Sequence, residues 1–347
     1  MPLSHNERIV MGHGSGGRMS HDLIQRIFHS AFDNPILRLG NDAGIFTVSS
    51  NTPNTIAIST DSHVVKPLFF PGGDIGRLSI CGTVNDISMM GAIPLYLTVG
   101  FILEEGLEII TLEKIVASMK TASEEAGIEI IAGDTKVVER GKADGLYINT
   151  SGIGVRKKKY QIGGEFAKPG DIILLSGSIG DHGIAVLEGR GELGFSSGIQ
   201  SDVSPLNHLV STILETGEKE PGNAIHVLRD PTRGGLATTL NEIARQSHIG
   251  IMIDETQIPI HPAVAAACEM LGFDPLYIAN EGKLVAFVSR LEADKILDKM
   301  RITKYGEDAV IIGEVLETPP KRVMMKTAIG TTRILDMLSG EMLPRIC

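Results

Sequence analysis

The chain contains no tryptophan, and aromatic residues make up only 4% of its 347 residues. Proteins that bind single-stranded nucleic acid usually stack bases on aromatic rings and carry excess positive charge, whereas this chain has a formal net charge of −10. Nucleic acid and anionic membranes are therefore unfavoured partners. Glycine is abundant, with 40 residues, and it suits tight turns and close approach of the backbone to a ligand.

Cysteine is also scarce. Cys81, Cys268 and Cys347 show no paired spacing, so neither a disulfide framework nor a zinc site is indicated. The histidines lack metal-binding spacing, and packing or surface roles are assigned to His63 and His182. No apolar run approaches the ~20 residues that span a bilayer, and no signal peptide is recognisable, so we expect a cytosolic protein.

Strand-like and helix-like segments alternate along the chain, which predicts an α/β or α+β fold. The length exceeds what one core usually supports, so two domains are expected. The predicted strands cover residues 56–60, 95–103, 128–132, 146–155, 171–176, 250–254, 284–288 and 309–315. The predicted helices cover residues 75–90, 111–126, 205–216, 234–246, 262–271 and 291–300.

Asp74 and Thr111 are predicted to be the N-caps of the first two of these helices. From Thr327 onward no core element is apparent, and the chain stops on Cys347. Exposed free thiols are usually avoided, so a thiol at this place has no obvious packing role. It suits either a nucleophile on a mobile arm or an incidental residue on a frayed end.

Acidic residues recur at predicted strand ends and beside glycine. Asp61 is expected to end a strand, and Asp134 to lie with Lys136 in a glycine turn. Asp42, Asp86 and Asp230 have similar settings. Each alone suits a turn or a cap, but carboxylates that converge in this way bind hard cations. Together the five predict a site for Mg²⁺ and a nucleotide.

A glycine-rich segment at residues 12–18 offers backbone N–H groups and the Arg18 guanidinium, which suit phosphate oxygens. It lacks the lysine and hydroxyl of a P-loop, so it is either a different phosphate site or a loose leader. Farther along, Glu281 lies in the turn 280–283. It is either a general base or a solvated turn carboxylate.

These motifs together resemble the AIR-synthetase-like (PurM-like) ATP-binding superfamily over nearly the whole chain. The end of the chain, residues 344–347, is similar to that of the carbamoyl dehydratases of hydrogenase maturation within this superfamily. The other segments that carry the resemblance are residues 13–18, 40–44, 59–64, 84–92, 132–136, 229–235 and 280–283.

The resemblance implies a two-domain α/β (α+β) fold in which each domain has a mixed β-sheet flanked by helices on one side. Residues 1–40 would form a glycine-rich N-terminal segment, and residues 41–156 an ATP-binding and dimerisation domain. Residues 157–326 would form a second AIR-synthetase-like domain, and residues 327–347 a flexible tail that carries Cys347.

The implied activity is the ATP-dependent dehydration of an S-carbamoyl group on Cys347 to S-cyano, which supplies cyanide to the iron of [NiFe]-hydrogenase. The implied partners are a second copy of the chain, the carbamoyltransferase HypF that loads Cys347, and the HypC–HypD iron scaffold that accepts the cyano group. Lys136 would stabilise developing charge, and Glu281 would take the nitrogen proton.

The resemblance also implies the ligands. The implied Mg²⁺ ligands are Asp42, Asp61, Asp86 and Asp230. The implied ATP contacts are Gly14, Gly16, Gly17, Arg18, Asn41, Asp42, Asn85, Gly133, Asp134, Thr135 and Gly234.

Two alternatives stay open. One is another ATP-dependent enzyme of the superfamily, such as a selenophosphate synthetase or an amidine-forming ligase. Selenophosphate synthetases typically keep a reactive cysteine or selenocysteine in the glycine-rich segment, which has none here. The other alternative is a non-catalytic scaffold that docks through its C-terminal peptide.

Overall fold

A computed structural model describes most of the chain. The described residues are 17–29, 31, 34–47, 54–157, 159–194, 198–219, 222–338, 343 and 345–347. Gly14 and Gly16 of the predicted phosphate site, and Pro344 of the C-terminal motif, lie outside them.

The first half of the chain forms a five-stranded mixed sheet with strand order β1-β2-β7-β5-β6. Strands β5 and β6 run parallel, whereas the other neighbours are antiparallel. Strands β3 and β4 form a separate short hairpin. The strands are β1 (Gly44–Phe46), β2 (Asn54–His63), β3 (Phe69–Phe70), β4 (Gly73–Asp74), β5 (Ile93–Glu104), β6 (Glu129–Val138) and β7 (Leu146–Lys157).

The helices of this half are α1 (Arg18–Leu23), α2 (Ile75–Met89) and α3 (Ile109–Ala126). The apolar residues of α2 and α3 pack with buried residues of β5 and β7 into one core, so these two helices lie on the same face of the sheet. Asp74 caps α2 as predicted, because its carboxylate accepts from two N–H groups of the first turn. Thr111 does not cap α3, which begins two residues earlier, after Glu108.

The second half forms a seven-stranded mixed sheet with order β11-β13-β8-β14-β12-β15-β16, in which β12 and β15 are parallel. Its strands are β8 (Ile172–Leu175), β11 (Ile225–Arg229), β12 (Gly250–Asp254), β13 (Val285–Val288), β14 (Val310–Leu316), β15 (Arg322–Lys326) and β16 (Thr332–Leu335), and a small hairpin comprises β9 (Glu218–Lys219) and β10 (Gly222–Asn223). The helices are α4 (Asp181–Gly189), α5 (Asn207–Gly217), α6 (Gly235–Gln246), α7 (Pro262–Leu271) and α8 (Ala293–Arg301).

The second sheet is covered on both faces. Alternate residues of β8 point to opposite sides, so Ile173 and Leu175 join a core with α6, whereas Ile172 and Leu174 join another with α5 and α8. The expectation of helices on one side only is therefore wrong for this sheet, although a mixed α/β architecture is confirmed.

Three predicted boundaries are wrong for related reasons. Strand β2 continues past Asp61 to His63, since it stays paired with β7. Strand β6 runs through Asp134, where a turn was expected, because it stays paired with β5. Beyond Thr327, where no core element was expected, β16 pairs with β15 and buries Leu335.

Candidate active site

Strand β2 and helix α2 bring two of the predicted aspartates together. Side chains alternate along a strand, so Ser59 and Asp61 share the face of β2 that packs on α2. Asp86 lies on α2, and the Ser59 hydroxyl donates to it at 2.7 Å. Gly82, one turn earlier, permits this approach, because a side chain there would begin only 3.2 Å from Asp61 Oδ2.

Two further aspartates join from loops. Asp42 accepts from Arg229 Nη1, and its backbone oxygen lies 3.1 Å from the Ser59 hydroxyl. Asp230 directly follows β11 and is buried. Burial and the charge of Asp42 raise the pKa of Asp230 to about 8. Burial and the other three carboxylates likewise raise the pKa of Asp86 well above its usual value. The four aspartates thus form one electrostatic cluster.

Glu281 approaches this cluster from the loop before β13. Its backbone is fixed because its N–H donates to Asp202 at 3.1 Å and its carbonyl accepts from the Asn85 amide at 3.3 Å. Gly282 makes the loop possible, since a Cβ there would lie 1.8 Å from the Asp202 carbonyl oxygen. Glu281 Oε1 has no hydrogen-bond partner in the described part of the chain.

The carboxyl group of Glu281 is set up as a strong base. Burial raises its pKa well above the usual value, and the charges of Asp61, Asp230 and Asp202 add to this effect. Once ionised, such a group takes a proton more readily than a solvated carboxylate.

The end of the chain inserts into the same place. Burial raises the pKa of the Cys347 thiol to about 12, and the charges of the neighbouring Glu281 and Asp61 add to this effect. The Arg233 guanidinium opposes that shift. The thiolate of Cys347 and the carboxylates of Asp61 and Glu281 together hold the pKa of Arg233 high. A thiol, a base and a cation therefore share one pocket with the aspartates.

Lys136 lies elsewhere in the chain. It pairs with Asp134 in an exposed contact on β6. Asp134 is in register with Gly100 of β5, Gly100 with Asn149 of β7, and Asn149 with Ser62 of β2. Three strand spacings of about 4.8 Å separate β6 from β2. Within one chain, the segment 133–136 is therefore not in the carboxylate cluster.

The remaining predicted ATP contacts occupy separate places. The Asn41 side chain is hydrogen-bonded to residues 164 and 165. The Asn85 side chain is hydrogen-bonded to backbone groups of residues 204, 206 and 281. Both amides therefore already have partners within the protein. Gly17 and Arg18 pack against Leu338. Gly234 adopts φ +81° directly before α6.

The donor set fits Mg²⁺ that is carried by a nucleotide. No three His, Cys, Asp or Glu side chains among the residues described already stand close enough to bind one ion. Mg²⁺ in such sites usually takes one or two carboxylates and completes its shell with phosphate and water oxygens. Burial and the mutual repulsion of the carboxylates raise the pKa values of Asp86 and Asp230, and a bound cation would relieve the repulsion.

Comparison with known proteins gives the family. The profile of the AIR synthase related protein N-terminal domain matches residues 40–156, and that of the C-terminal domain matches residues 168–326. A carbamoyl dehydratase HypE from Cupriavidus necator is 54% identical over 340 residues, which cover 98% of this chain and 95% of the relative. The chain belongs to the HypE family of AIR synthase related proteins.

Solved structures of HypE proteins have the same fold. The HypE chain of a HypE–HypF complex is 51% identical, with a TM-score of 0.85, and the match covers 91% of this chain and 99% of that one. A HypE structure in complex with ATP is 49% identical, with a TM-score of 0.80, and covers 98% and 100%. The resemblance predicted from the motifs is confirmed.

Sequence reasoning missed several parts of this HypE-type site. Arg233 was overlooked, although it lies in the same motif as Asp230, three residues farther along. Ser59 and Arg229 order Asp86 and Asp42 through hydrogen bonds that only the tertiary structure reveals. His182 is buried beside the docked tail.

None of the helices in the parts described is both long and apolar enough to cross a membrane.

Proposed function

We propose that this chain dehydrates an S-carbamoyl group on its own Cys347 to S-cyano at the expense of ATP. The observation that carries this proposal is the docked end of the chain, whose thiol lies beside Glu281 and Arg233. An incidental terminal thiol would have no reason to occupy the pocket of the carboxylate cluster. The relatives named carbamoyl dehydratase, and the ATP bound to one of them, support the same conclusion.

The reaction removes the carboxamide oxygen and both nitrogen protons, which leaves a carbon–nitrogen triple bond on sulfur. ATP would supply the phosphoryl group that converts this oxygen into a good leaving group, and the oxygen departs as phosphate. The aspartate cluster would hold Mg²⁺ on the phosphates. Glu281 would take one proton from the nitrogen, and the second nitrogen proton would leave with the departing phosphate. Arg233 would neutralise negative charge near the sulfur.

The position of Lys136 supports a homodimer. Within one chain it cannot reach the cluster, whereas a second chain packed on the same sheet would present its own β6 edge. Ile58, Ile153 and Tyr96 are register neighbours across β2, β7 and β5, and all three are exposed. An exposed apolar row on a sheet face is typical of an interaction surface. We assign this face to a second copy.

Two further partners follow from the chemistry. A carbamoyltransferase of the HypF type would have to load Cys347 outside the pocket, because the docked thiol is partly buried. The HypF bound to a HypE relative supports this assignment. An iron scaffold of the HypC–HypD type would then accept the cyano group. An enzyme that draws on ATP in this way belongs in the cytoplasm.

Intact-mass measurement tests the proposed function. The chain is incubated with a HypF-type carbamoyltransferase, carbamoyl phosphate and Mg²⁺-ATP, and we expect gain of one carbamoyl group followed by loss of one water. Glu281→Gln should stop at the carbamoyl stage. Cys347→Ser should acquire nothing, whereas the matched Cys268→Ser variant should react normally. An adduct that maps to Cys81 or Cys268 would contradict the proposal.

A further inference from the structure

The backbone of the docked end of the chain accepts hydrogen bonds from both halves of the molecule. On one side, the N–H groups of Val64 and Lys66 donate to the oxygens of Cys347 and Arg345 at 3.1 and 3.3 Å. These two donors directly follow β2 of the first sheet. On the other side of the tail, the donors are two side chains at the ends of helix α4 in the second half.

His182 is the first of these groups. It lies at the start of α4, is fully buried, and has its Nε2 2.7 Å from the carbonyl oxygen of Ile346. Its Nδ1 lies 2.8 Å from the Ser201 hydroxyl, and its ring meets Phe70 edge-on at 5.4 Å. The carbonyl can only accept, so Nε2 carries the proton and Nδ1 accepts from Ser201. The ring is therefore fixed in position, orientation and tautomer.

Arg190 is the second group and immediately follows α4. Its Nη2 donates to the carbonyl oxygen of Arg345 at 2.6 Å, and its Nε donates to the carbonyl oxygen of Lys66 at the same distance. The guanidinium therefore links the tail at Arg345 to the segment after β2, at Lys66, which itself hydrogen-bonds to the tail. Gly189, just before it, packs against Pro67, which brings the end of α4 close to this segment.

Two side chains of the tail set its direction. Ile346 is 4% exposed and belongs to the core of the first half. Arg345 pairs with Asp144 and adopts φ +51°, a left-handed conformation that is uncommon for residues other than glycine. The kink at Arg345 lets its side chain point outward to Asp144 while Ile346 points into the core.

We propose that His182 and Arg190, at the two ends of α4, are positioning residues that fix the register of the docked tail and so set Cys347 against Glu281. The positioning of the tail by these two residues is independent of the proposed function, whereas the importance of that position for dehydration rests on it. Both residues bind backbone carbonyls, so they hold the tail through its main chain. In the described part of the tail, the contact comprises these hydrogen bonds, the Arg345–Asp144 pair and the apolar packing of Leu343 and Ile346. Loading of Cys347 outside the pocket would require these contacts to break.

Alkylation of the free full-length chain tests the clamp without ATP or any partner. Iodoacetamide is added under native conditions at pH 8, and the rate at each cysteine is followed by peptide mass. Wild-type Cys347 should react slowly because docking places the thiol in the pocket, where it is partly shielded from the reagent. His182→Ala and Arg190→Gln should each raise its rate at least about tenfold, since a released thiol regains ordinary reactivity.

Three controls make the result decisive. His182→Gln keeps an N–H donor near the position of Nε2 and should retain most of the protection. Arg290→Gln removes an arginine that pairs with Glu314 on the surface and should change nothing. Cys81 and Cys268 are buried and report unfolding if they react. If His182→Ala unfolds, Arg190→Gln decides.

Two results would overturn the clamp. One is that Cys347 is alkylated at the same rate in the folded His182→Ala and Arg190→Gln variants as in the wild-type chain. The other is a His182→Gln rate equal to that of His182→Ala, because His182 would then serve packing rather than hydrogen bonding.

A second readout separates this inference from the proposed function. In the loaded chain, His182→Ala should slow the loss of water from the carbamoyl group but should not slow loading of Cys347, which requires a released tail. If the wild-type chain is loaded and never dehydrates, the proposed function fails while the alkylation result still stands. If the chain dehydrates normally and Cys347 is equally reactive in all variants, only the clamp fails.

Discussion

The two sheets of this molecule are covered differently. The second sheet lies between helices on both faces, and its residues alternate between two buried cores. The first sheet carries α2 and α3 on one face only. Its other face exposes large apolar side chains, namely Ile58, Ile93, Tyr96, Ile102 and Ile153. One half therefore completes its core within the chain, whereas the other leaves an apolar surface open.

The two halves, which match related family profiles, contribute to the site in different ways. The half that is complete by itself gives Asp230, Arg233 and Glu281 from its loops. The open half gives Asp61 and Asp86 from a strand and a helix on its covered face. The site lies where the halves meet, and the carboxylates of each half repel those of the other. Three measurements test this comparison, from the largest expected effect to the smallest.

The largest effect is expected in the closed core of the second sheet. Phe287 is fully buried on β13, so Phe287→Ala should lower the free energy of unfolding by about 3–5 kcal/mol. Urea denaturation measures the change. The control Leu291→Ala removes a side chain that is 90% exposed in the same half and should cost almost nothing. A loss below about 1 kcal/mol for Phe287→Ala would mean that this core is not closely packed.

A smaller effect is expected where the halves meet. Asp230 has a folded-state pKa of about 8, above the ordinary value of about 3.9 in the unfolded chain. The folded state therefore binds a proton more tightly at Asp230, and the contribution of this residue to the free energy of unfolding of the nucleotide-free protein should fall as pH rises from about 4 to about 8.

Asp230→Asn should remove this part of the pH dependence and should stabilise the nucleotide-free protein at pH 8 by about 1 kcal/mol or more. It should also weaken Mg²⁺-ATP binding, which calorimetry measures. Urea denaturation at pH 5 and pH 8 gives the slope, with the exposed Asp308→Asn as control. If wild type and Asp230→Asn show the same pH slope, Asp230 is not the strained carboxylate of this cluster.

The smallest effect on stability is expected on the open face of the first sheet. Ile153 lies at the middle of the exposed row, and Ile153→Ser should change the free energy of unfolding of the monomer by no more than about 0.5 kcal/mol. It should nevertheless shift the chain from dimer to monomer in analytical ultracentrifugation. Ile329→Ser, at another exposed isoleucine, is the control. An unchanged dimer would place the interface on a different surface.

The elements that local signals define were predicted well. Strand β12 and helix α7 have the predicted bounds, because turn residues or proline flank clear apolar runs. Asp74 was recognised as a cap because its interaction reaches only two or three residues along the chain. Helix α4 was missed, since its glycine and histidine content hides the helical pattern.

Parts of the site that depend on tertiary pairing could not be predicted. The sequence contexts indicated the aspartates, but not that Asp134 lies three strands away from Asp61, because strand order is a property of the sheet. His182 was assigned a packing or surface role, yet it binds the carbonyl of a residue 164 positions later. Nothing within a local window of sequence reports such a contact.

Gly282 has a consequence for genetics. It bears no functional group, but the Asp202 carbonyl oxygen fills the space where its Cβ would lie, next to Glu281. Every substitution there must move the backbone that carries the base. In a saturation-mutagenesis map of this chain, Gly282 would rank with the chemically active residues, so intolerance to substitution would overstate how many side chains take part in the reaction.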